Sequence, residues 1–225
     1  LLAGEGKSSY KVYHQNKAFL TINGACLIHY IVETLQKVES IQDIYVVGPK
    51  EKLQQALLSG RIDLKSPKRI HIVEQKTTLY QNIWHTFLQS LQDENAEAPN
   101  TKSHRDRAVL IVPCDAPLMT PQEVEYFISH ADMEKHDLVS GLVSREKLQH
   151  FYPQKKTPGI KMAYIHFKEA SFRINNLHMV KPLCIENREY IQKMYQYRYQ
   201  RNFKNLILFS LSLFGKDKLR HYKCY

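Results

Sequence analysis

The stretch that most constrains the fold is 109–123, where an apolar run is followed by one acid and a helix start. Residues 109–112 are apolar and partly β-branched, as expected for a central strand covered on both faces. Pro113 has no N–H to donate, so the hydrogen-bond ladder of the strand ends there. Asp115 therefore follows at the carboxyl end of the strand, where open α/β sheets bind their ligands. The alternative is that Asp115 only hydrogen-bonds its own turn, as aspartate often does.

The residues after Asp115 carry the signals of a helix N-terminus. Thr120 is a suitable N-cap, Pro121 fits the first helical position, and Glu123 completes a capping box. A strand, one acid and a capped helix within fifteen residues predict a binding site at the end of this strand.

Strand-like and helix-like segments alternate along most of the chain. Helical periodicity or an extended apolar pattern occupies, in chain order, 25–39, 41–47, 50–58, 70–74, 79–91, 109–112 and 137–143. This alternation predicts an α/β fold with three layers, α/β/α, around a mostly parallel, mixed central sheet. We expect one α/β domain over 1–185 and a basic, aromatic helical extension over 186–225.

The net charge of +10 favours an anionic partner such as a nucleotide, a nucleic acid or an acidic lipid surface. The surplus is concentrated in residues 193–225, which contain eight lysine and arginine residues and one acid. The longest apolar cluster, 206–214, is too short to span a bilayer. Two interpretations of 204–220 stay open: peripheral contact with a membrane, or a helix that docks on the protein.

The four cysteines are scattered, without a C-x-x-C pair or zinc-ligand spacing, which favours reduced thiols and a cytoplasmic location. Cys114 lies beside Asp115, so it is either a nucleophile or a small buried thiol.

Three blocks occur in a fixed order: Leu2-Ala3-Gly4, then Asn16-Lys17-Ala18-Phe19-Leu20, then Val112-Pro113-Cys114-Asp115-Ala116-Pro117. In these blocks the chain resembles the nucleotidyltransferase family typified by molybdenum-cofactor guanylyltransferases and sugar-phosphate nucleotidyltransferases. The resemblance covers roughly 1–145 and implies the glycosyltransferase-A-like fold, also described as nucleotide-diphospho-sugar transferase-like.

The resemblance implies a chemistry and a set of site residues. A hydroxyl or phosphate of a small phosphorylated or sugar acceptor attacks the α-phosphorus of a nucleoside triphosphate, and pyrophosphate leaves. The implied catalytic residues are Lys17 and Asp115, and the implied Mg²⁺ ligand is Asp115. The second metal ligand of the family has no clear match here; Asn176 is the best candidate, although the pair Asn175-Asn176 is equally typical of a turn. The implied nucleotide-binding residues are Leu2, Ala3, Gly4, Lys7, Lys17 and Gln75.

Two positions depart from the family pattern: Glu5 replaces a second glycine, and no arginine occurs between residues 1 and 60. Two other functions therefore stay open. One is a non-catalytic or membrane-associated binding protein on the same fold. Whichever function holds, we expect the protein in the cytoplasm, with a peripheral position at the inner face of a membrane as the alternative. The other is a glycosyltransferase using a nucleotide-sugar, although Ala116-Pro117 after Asp115 leaves no D-x-D acid pair. Nucleic acid is not expected as a partner.

Overall fold

The computed structural model describes residues 1–5, 14–60, 62, 68–92, 103–155, 157–160, 162–186, 188 and 191. Their strands are β1 (Thr21–Ile22), β2 (Ala25–Cys26), β3 (Ile44–Gly48), β4 (Ile70–Glu74), β5 (Val109–Ile111), β6 (Leu138–Ser144), β7 (Ile165–His166) and β8 (Ser171–Val180). Their α-helices are α1 (Leu27–Gln36), α2 (Lys50–Ser59), α3 (Leu79–Gln92), α4 (Pro121–His130) and α5 (Arg145–Leu148). Short 3-10 turns cover Lys17–Phe19 and Gln149–Phe151.

The first extended segment, residues 1–3, joins the two halves of the central sheet. Leu2 forms parallel bridges with Val47 of β3 on one side and with Pro113, just after β5, on the other. Beyond these neighbours, β4 pairs in parallel with β3, and β8 pairs antiparallel with β5 and with β6. The resulting order is β4, β3, residues 1–3, β5, β8 and β6, so the sheet is mixed as the sequence predicts.

The strand order reverses beside the first segment, because the chain goes from residues 1–3 to β3 on one side and later returns to β5 on the other. In open α/β sheets the crevice at such a switch point, outside the carboxyl ends of the strands, is where ligands bind. Gly4 and Asp115 both follow strands that end at this crevice.

The core lies between the sheet and its helices. Helix α1 buries five apolar residues along one face, Leu27, Ile28, Ile31, Val32 and Leu35. All of them except Leu27 pack in one cluster with Val46 of β3, Leu53 of α2 and Val124 of α4. The 3.6-residue spacing read from the sequence therefore corresponds to a buried helix face.

The prediction that 109–112 is covered on both faces holds for Val112, which is 1% exposed. The three residues of β5 are instead half-buried and line a cavity of about 670 Å³. The partial exposure of β5 follows from where its pairing with the first segment begins: the N–H of Leu2 donates to the carbonyl of Val112, just after β5, over 2.9 Å. Within the described residues, β5 therefore pairs with β8 alone.

Strand β8 carries an irregularity opposite β6. The register shifts between Ser140 and Leu142, and Asn176 adopts a left-handed backbone with φ of 68°. A Cβ at Gly141 would overlap Asn175 Oδ1, so the Asn175 side chain would have to move for any other residue to fit there. The sequence suggested either a turn or a ligand at Asn175-Asn176, and the structure has a β-bulge there.

Candidate functional site

The position of Asp115 follows from the end of β5. The N–H of Cys114 donates to the carbonyl of Leu2 over 3.2 Å, which holds the strand end against the first segment. Five residues after Asp115, the Thr120 side chain accepts a hydrogen bond from the N–H of Glu123, and Pro121 begins α4. The predicted N-cap is confirmed, and Asp115 lies in the short connection between β5 and this capped helix.

Lys17 is positioned by the residue before it. Asn16 is 5% exposed, and its amide nitrogen donates to the carbonyl of Ala3 over 2.8 Å and to that of Gly4 over 3.2 Å. Its amide oxygen accepts a hydrogen bond from the N–H of Ala18, which caps the 3-10 turn that begins at Lys17. Asn16 therefore connects the segment that carries Lys17 to the end of the first strand segment.

Lys17 and Asp115 meet in this crevice. The Lys17 Nζ atom lies 2.7 Å from Asp115 Oδ2, and the two side chains are 37% and 32% exposed. An ion pair of such exposure adds at most about 1 kcal/mol to stability. The pair therefore has little structural value, and its side chains are accessible to a ligand.

The loop that starts at Gly4 is held by a hydrogen bond to Gln75 and lies next to the side chain of Asn82. The N–H of Glu5 donates to Gln75 Oε1 over 2.6 Å. A Cβ at Gly4 would lie 3.1 Å from Asn82 Nδ2 and 3.4 Å from Gln75 Oε1. Asn82 is buried and also accepts a hydrogen bond from the N–H of Lys76. Gln75, predicted to contact a nucleotide base, thus contacts the loop backbone in this structure.

Glu5 has a cationic neighbour on α2. Both carboxylate oxygens of Glu5 lie 3.2 Å from Lys52 Nζ. The Glu5 side chain is 23% exposed, whereas that of Lys52 is 60% exposed. The carboxylate in the loop is therefore bound by a lysine that reaches in from solvent.

Leu2 and Ala3 have their backbone groups engaged in the sheet. The N–H of Ala3 donates to the carbonyl of Val47 over 2.9 Å, while its carbonyl accepts from Asn16. A Cβ at Gly48 would lie 2.8 Å from the Ala3 carbonyl oxygen, so the close approach of the two strands needs glycine there. These two residues support the loop that begins at Gly4.

Two further predicted site residues remain, of which only Asn176 is described and stands apart from this cluster. Lys7 lies outside the described residues, as do the remaining members of the loop up to residue 13. Asn176 is exposed, and no hydrogen bond connects it to Asp115 in the described part of the chain. In the antiparallel pairing of β5 with β8, Ile111 lies opposite His178. Asn176 is two residues further along β8, toward the same end of the sheet at which Asp115 follows β5.

Cys114 is a buried thiol. It is 7% exposed, and burial, followed by the charge of Asp115, raises its pKa to about 12. A thiol with such a pKa is protonated near neutral pH and is a poor nucleophile. This environment favours the structural interpretation of Cys114 over the catalytic one.

Sequence reasoning missed four residues of this region: Asn16, Gly48, Asn82 and Lys52. Asn16 carried a local signal, because asparagine before a short helical segment is a common N-cap. Gly48 carried only the signal of a turn, because Pro49 follows it. Asn82 and Lys52 act through contacts with residues distant in sequence, which no local pattern reveals.

The described residues contain no group of three or more His, Cys, Asp or Glu side chains that could together hold a metal ion. None of the helices in the described ranges has the length and hydropathy of a membrane span.

Comparison with known proteins identifies relatives of this arrangement. Residues 1–209 match the family model of the MobA-like NTP transferase domain. A search among curated proteins found no match to the sequence.

Two solved structures show the similarity of fold. A hypothetical transferase from Thermus thermophilus is 18% identical with a TM-score of 0.59, and the match covers 97% of this chain and 78% of that one. CMP:2-keto-3-deoxy-manno-octonic acid synthetase, in complex with CTP, is 11% identical with a TM-score of 0.50, and the match covers 94% of this chain and 82% of that one. The predicted three-layer nucleotide-diphospho-sugar transferase fold is confirmed.

Proposed function

The chain belongs to the MobA-like NTP transferase family, and from that premise we propose that it is a Mg²⁺-dependent nucleotidyltransferase. It moves a nucleoside monophosphate from a nucleoside triphosphate to a small phosphorylated or sugar acceptor, and pyrophosphate is released. The observation that carries this proposal is the Lys17–Asp115 pair, 2.7 Å apart at the carboxyl ends of the strands.

The reaction needs positive charge more than it needs a nucleophilic side chain. The acceptor oxygen forms a bond to the α-phosphorus, the bond from the α-phosphorus to the bridging oxygen breaks, and its electrons leave with pyrophosphate. Negative charge on the phosphate oxygens is stabilised mainly by positioned cations and N–H donors. Lys17 is a flexible point charge at the crevice. The family resemblance implies that N–H groups of the loop after Gly4 donate to the phosphates, as in other anion-binding loops.

The residues around Asp115 fit a magnesium ion. Mg²⁺ commonly takes one or two carboxylates, several waters and substrate phosphate oxygens, so a single exposed aspartate suffices. The Asp115 carboxylate already binds a cation, the ammonium of Lys17. When bound, Mg²⁺ would neutralise charge on the phosphate groups. We propose Asp115 as the protein ligand, with Asn176 as a second candidate on the neighbouring strand.

In the proposed complex Lys17 donates to a phosphate oxygen instead of Asp115. Its side chain is long and partly exposed, so it can turn toward the triphosphate while Asn16 holds its backbone in place. Gln75 and Asn82 keep the start of the loop in position. The same residues thus organise the site before the nucleotide binds, which lowers the cost of binding.

An assay of pyrophosphate release tests this proposal. The protein is incubated with ATP, CTP, GTP or UTP, with and without Mg²⁺, in the presence of a mixture of sugar phosphates. We expect pyrophosphate with one nucleotide, loss of at least about 100-fold in rate for Asp115→Asn, and little change for Asp137→Asn. Asp137 is a suitable control because it is exposed and lies at the opposite end of the sheet from Asp115, since Leu138 and Val109 both pair with Val180.

Two results would contradict the proposal. Release of a nucleoside diphosphate from nucleotide-sugars, without pyrophosphate from any triphosphate, would indicate a glycosyltransferase. Absence of binding to every nucleotide would indicate a binding protein on the same fold. Contact of 204–220 with a membrane lies outside the described residues and stays a prediction.

A further inference from the structure

The Glu5 carboxylate stands at the entrance of the loop proposed to surround the triphosphate. Its backbone N–H donates to Gln75 Oε1, which holds the backbone of Glu5 in place at the start of the loop. The side chain is only 23% exposed. A fixed carboxylate in this position would repel phosphate groups, because like charges a few ångströms apart interact strongly near a protein surface.

The ammonium group of Lys52 compensates the negative charge of Glu5. Its Nζ atom lies 3.2 Å from each Glu5 oxygen, so the ammonium faces both oxygens equally. Helix α2 anchors the lysine, since the next residue, Leu53, is fully buried in the core. Within the described residues, Lys52 is the cation that forms an ion pair with Glu5.

We propose that Lys52 is a positioning residue of the nucleotide site, which neutralises Glu5 and so allows the triphosphate to bind beside the loop. The inference rests on the proposed function. Lys52 acts through Glu5: it holds the carboxylate turned toward α2 and cancels its charge without itself contacting the phosphates.

A double-mutant cycle tests this role in the full-length protein. Lys52→Met, Glu5→Gln and the double variant are compared with the wild type. The measurement is the dissociation constant of the Mg²⁺ complex of the nucleotide that binds the wild type, obtained by titration calorimetry. Lys50→Met is the matched control, because Lys50 is exposed on the same helix and its substitution removes the same charge.

The expected result is a weakening of binding by about tenfold for Lys52→Met, equivalent to about 1.4 kcal/mol. In the Glu5→Gln background the same substitution should change binding by less than about twofold, since no carboxylate remains to be neutralised. Lys50→Met should resemble the wild type, and Lys52→Arg should restore most of the affinity.

Three outcomes would overturn the inference while the proposed function stands. An equal loss in both backgrounds would mean that Lys52 binds phosphate directly. No loss in either background would mean that Glu5 needs no counter-charge. An equal loss with Lys50→Met would mean that only the net charge of the helix matters. If the wild type binds none of the four nucleotides, the proposed function fails, and this inference fails with it.

Discussion

Lys17 and Asp115 are 98 positions apart in sequence, yet Lys17 Nζ lies 2.7 Å from Asp115 Oδ2. Two separate anchors bring them together. Asn16 binds the end of the first strand segment, and Cys114 binds the same segment from the other side. The pair is therefore held by backbone contacts with one short segment, and the exposed side chains remain available for a ligand.

Lys17→Met should separate function from stability. Because the ion pair is exposed, its loss should change the free energy of unfolding by at most about 1 kcal/mol. Binding of the Mg²⁺–nucleotide complex should weaken by about tenfold or more, since a charge-assisted contact with phosphate is lost. Calorimetry and thermal unfolding measure the two effects. Lys37→Met, which removes an exposed lysine paired with Glu33, serves as the control and should affect neither. A large loss of stability would contradict the proposed role.

Asn16→Ala should destabilise the fold. The substitution removes two hydrogen bonds to backbone carbonyls, of which the one to Ala3 is buried, and a third that Asn16 accepts from the N–H of Ala18. The expected cost is about 1–3 kcal/mol in the free energy of unfolding, measured by urea denaturation. Gln54→Ala, at an exposed position of α2, should stay within about 0.5 kcal/mol of the wild type. Equal stabilities of the two variants would show that Asn16 does not anchor this segment.

Gly48→Ala should also be destabilising, through a steric mechanism. The added Cβ would lie 2.8 Å from the Ala3 carbonyl oxygen and 2.9 Å from Leu53 Cδ1, so backbone has to shift. Forcing extra volume into packed surroundings typically costs about 1–3 kcal/mol. Urea denaturation measures the change. Unchanged stability would mean that β3 and the first segment can separate freely.

Cys114 should make the free energy of unfolding decrease as the pH rises in the alkaline range. Burial raises its pKa to about 12 in the folded state, whereas the unfolded thiol titrates near its ordinary value of about 8.5. Above that value the unfolded state binds fewer protons than the folded state. The contribution of the Cys114 thiol to the free energy of unfolding is therefore fully present below about pH 8.5. Above that pH the free energy of unfolding falls by up to about 1.4 kcal/mol for each pH unit.

Cys114→Ala isolates this contribution, because every other titrating group is retained. The difference in unfolding free energy between wild type and Cys114→Ala, measured from pH 7.5 to 10.5, should shrink as the pH rises. A difference that stays constant over this range would show that the thiol ionises as readily in the folded protein as in the unfolded chain.

The parts of the fold that sequence could predict are those governed by local patterns. The strand predicted at 70–74 is β4, and the cap predicted at Thr120 and Pro121 begins α4. Apolar periodicity and capping chemistry act within a few residues, so they can be read directly from the chain. The prediction that Asp115 lies at the carboxyl end of a strand rests on the same local signals.

The rest depends on which distant segments meet. The contacts of Gln75 with Glu5 and of Lys52 with Glu5 join residues 70 and 47 positions apart. Exposure of β5 depends on where pairing with the first segment begins. The left-handed backbone of Asn176 arises from a register shift between β6 and β8. Such features follow from tertiary packing, which overrides local preference.

Binding of a nucleoside triphosphate tests the central claim most directly. Thermal unfolding of the wild type and of Asp115→Asn is measured with ATP, CTP, GTP and UTP, each with and without Mg²⁺. A ligand at one hundred times its dissociation constant adds about 2.7 kcal/mol to stability, which is readily detected. We expect stabilisation of the wild type by one nucleotide, dependent on Mg²⁺ and lost in Asp115→Asn. Stabilisation that persists undiminished in Asp115→Asn, or its absence with all four nucleotides, would contradict it.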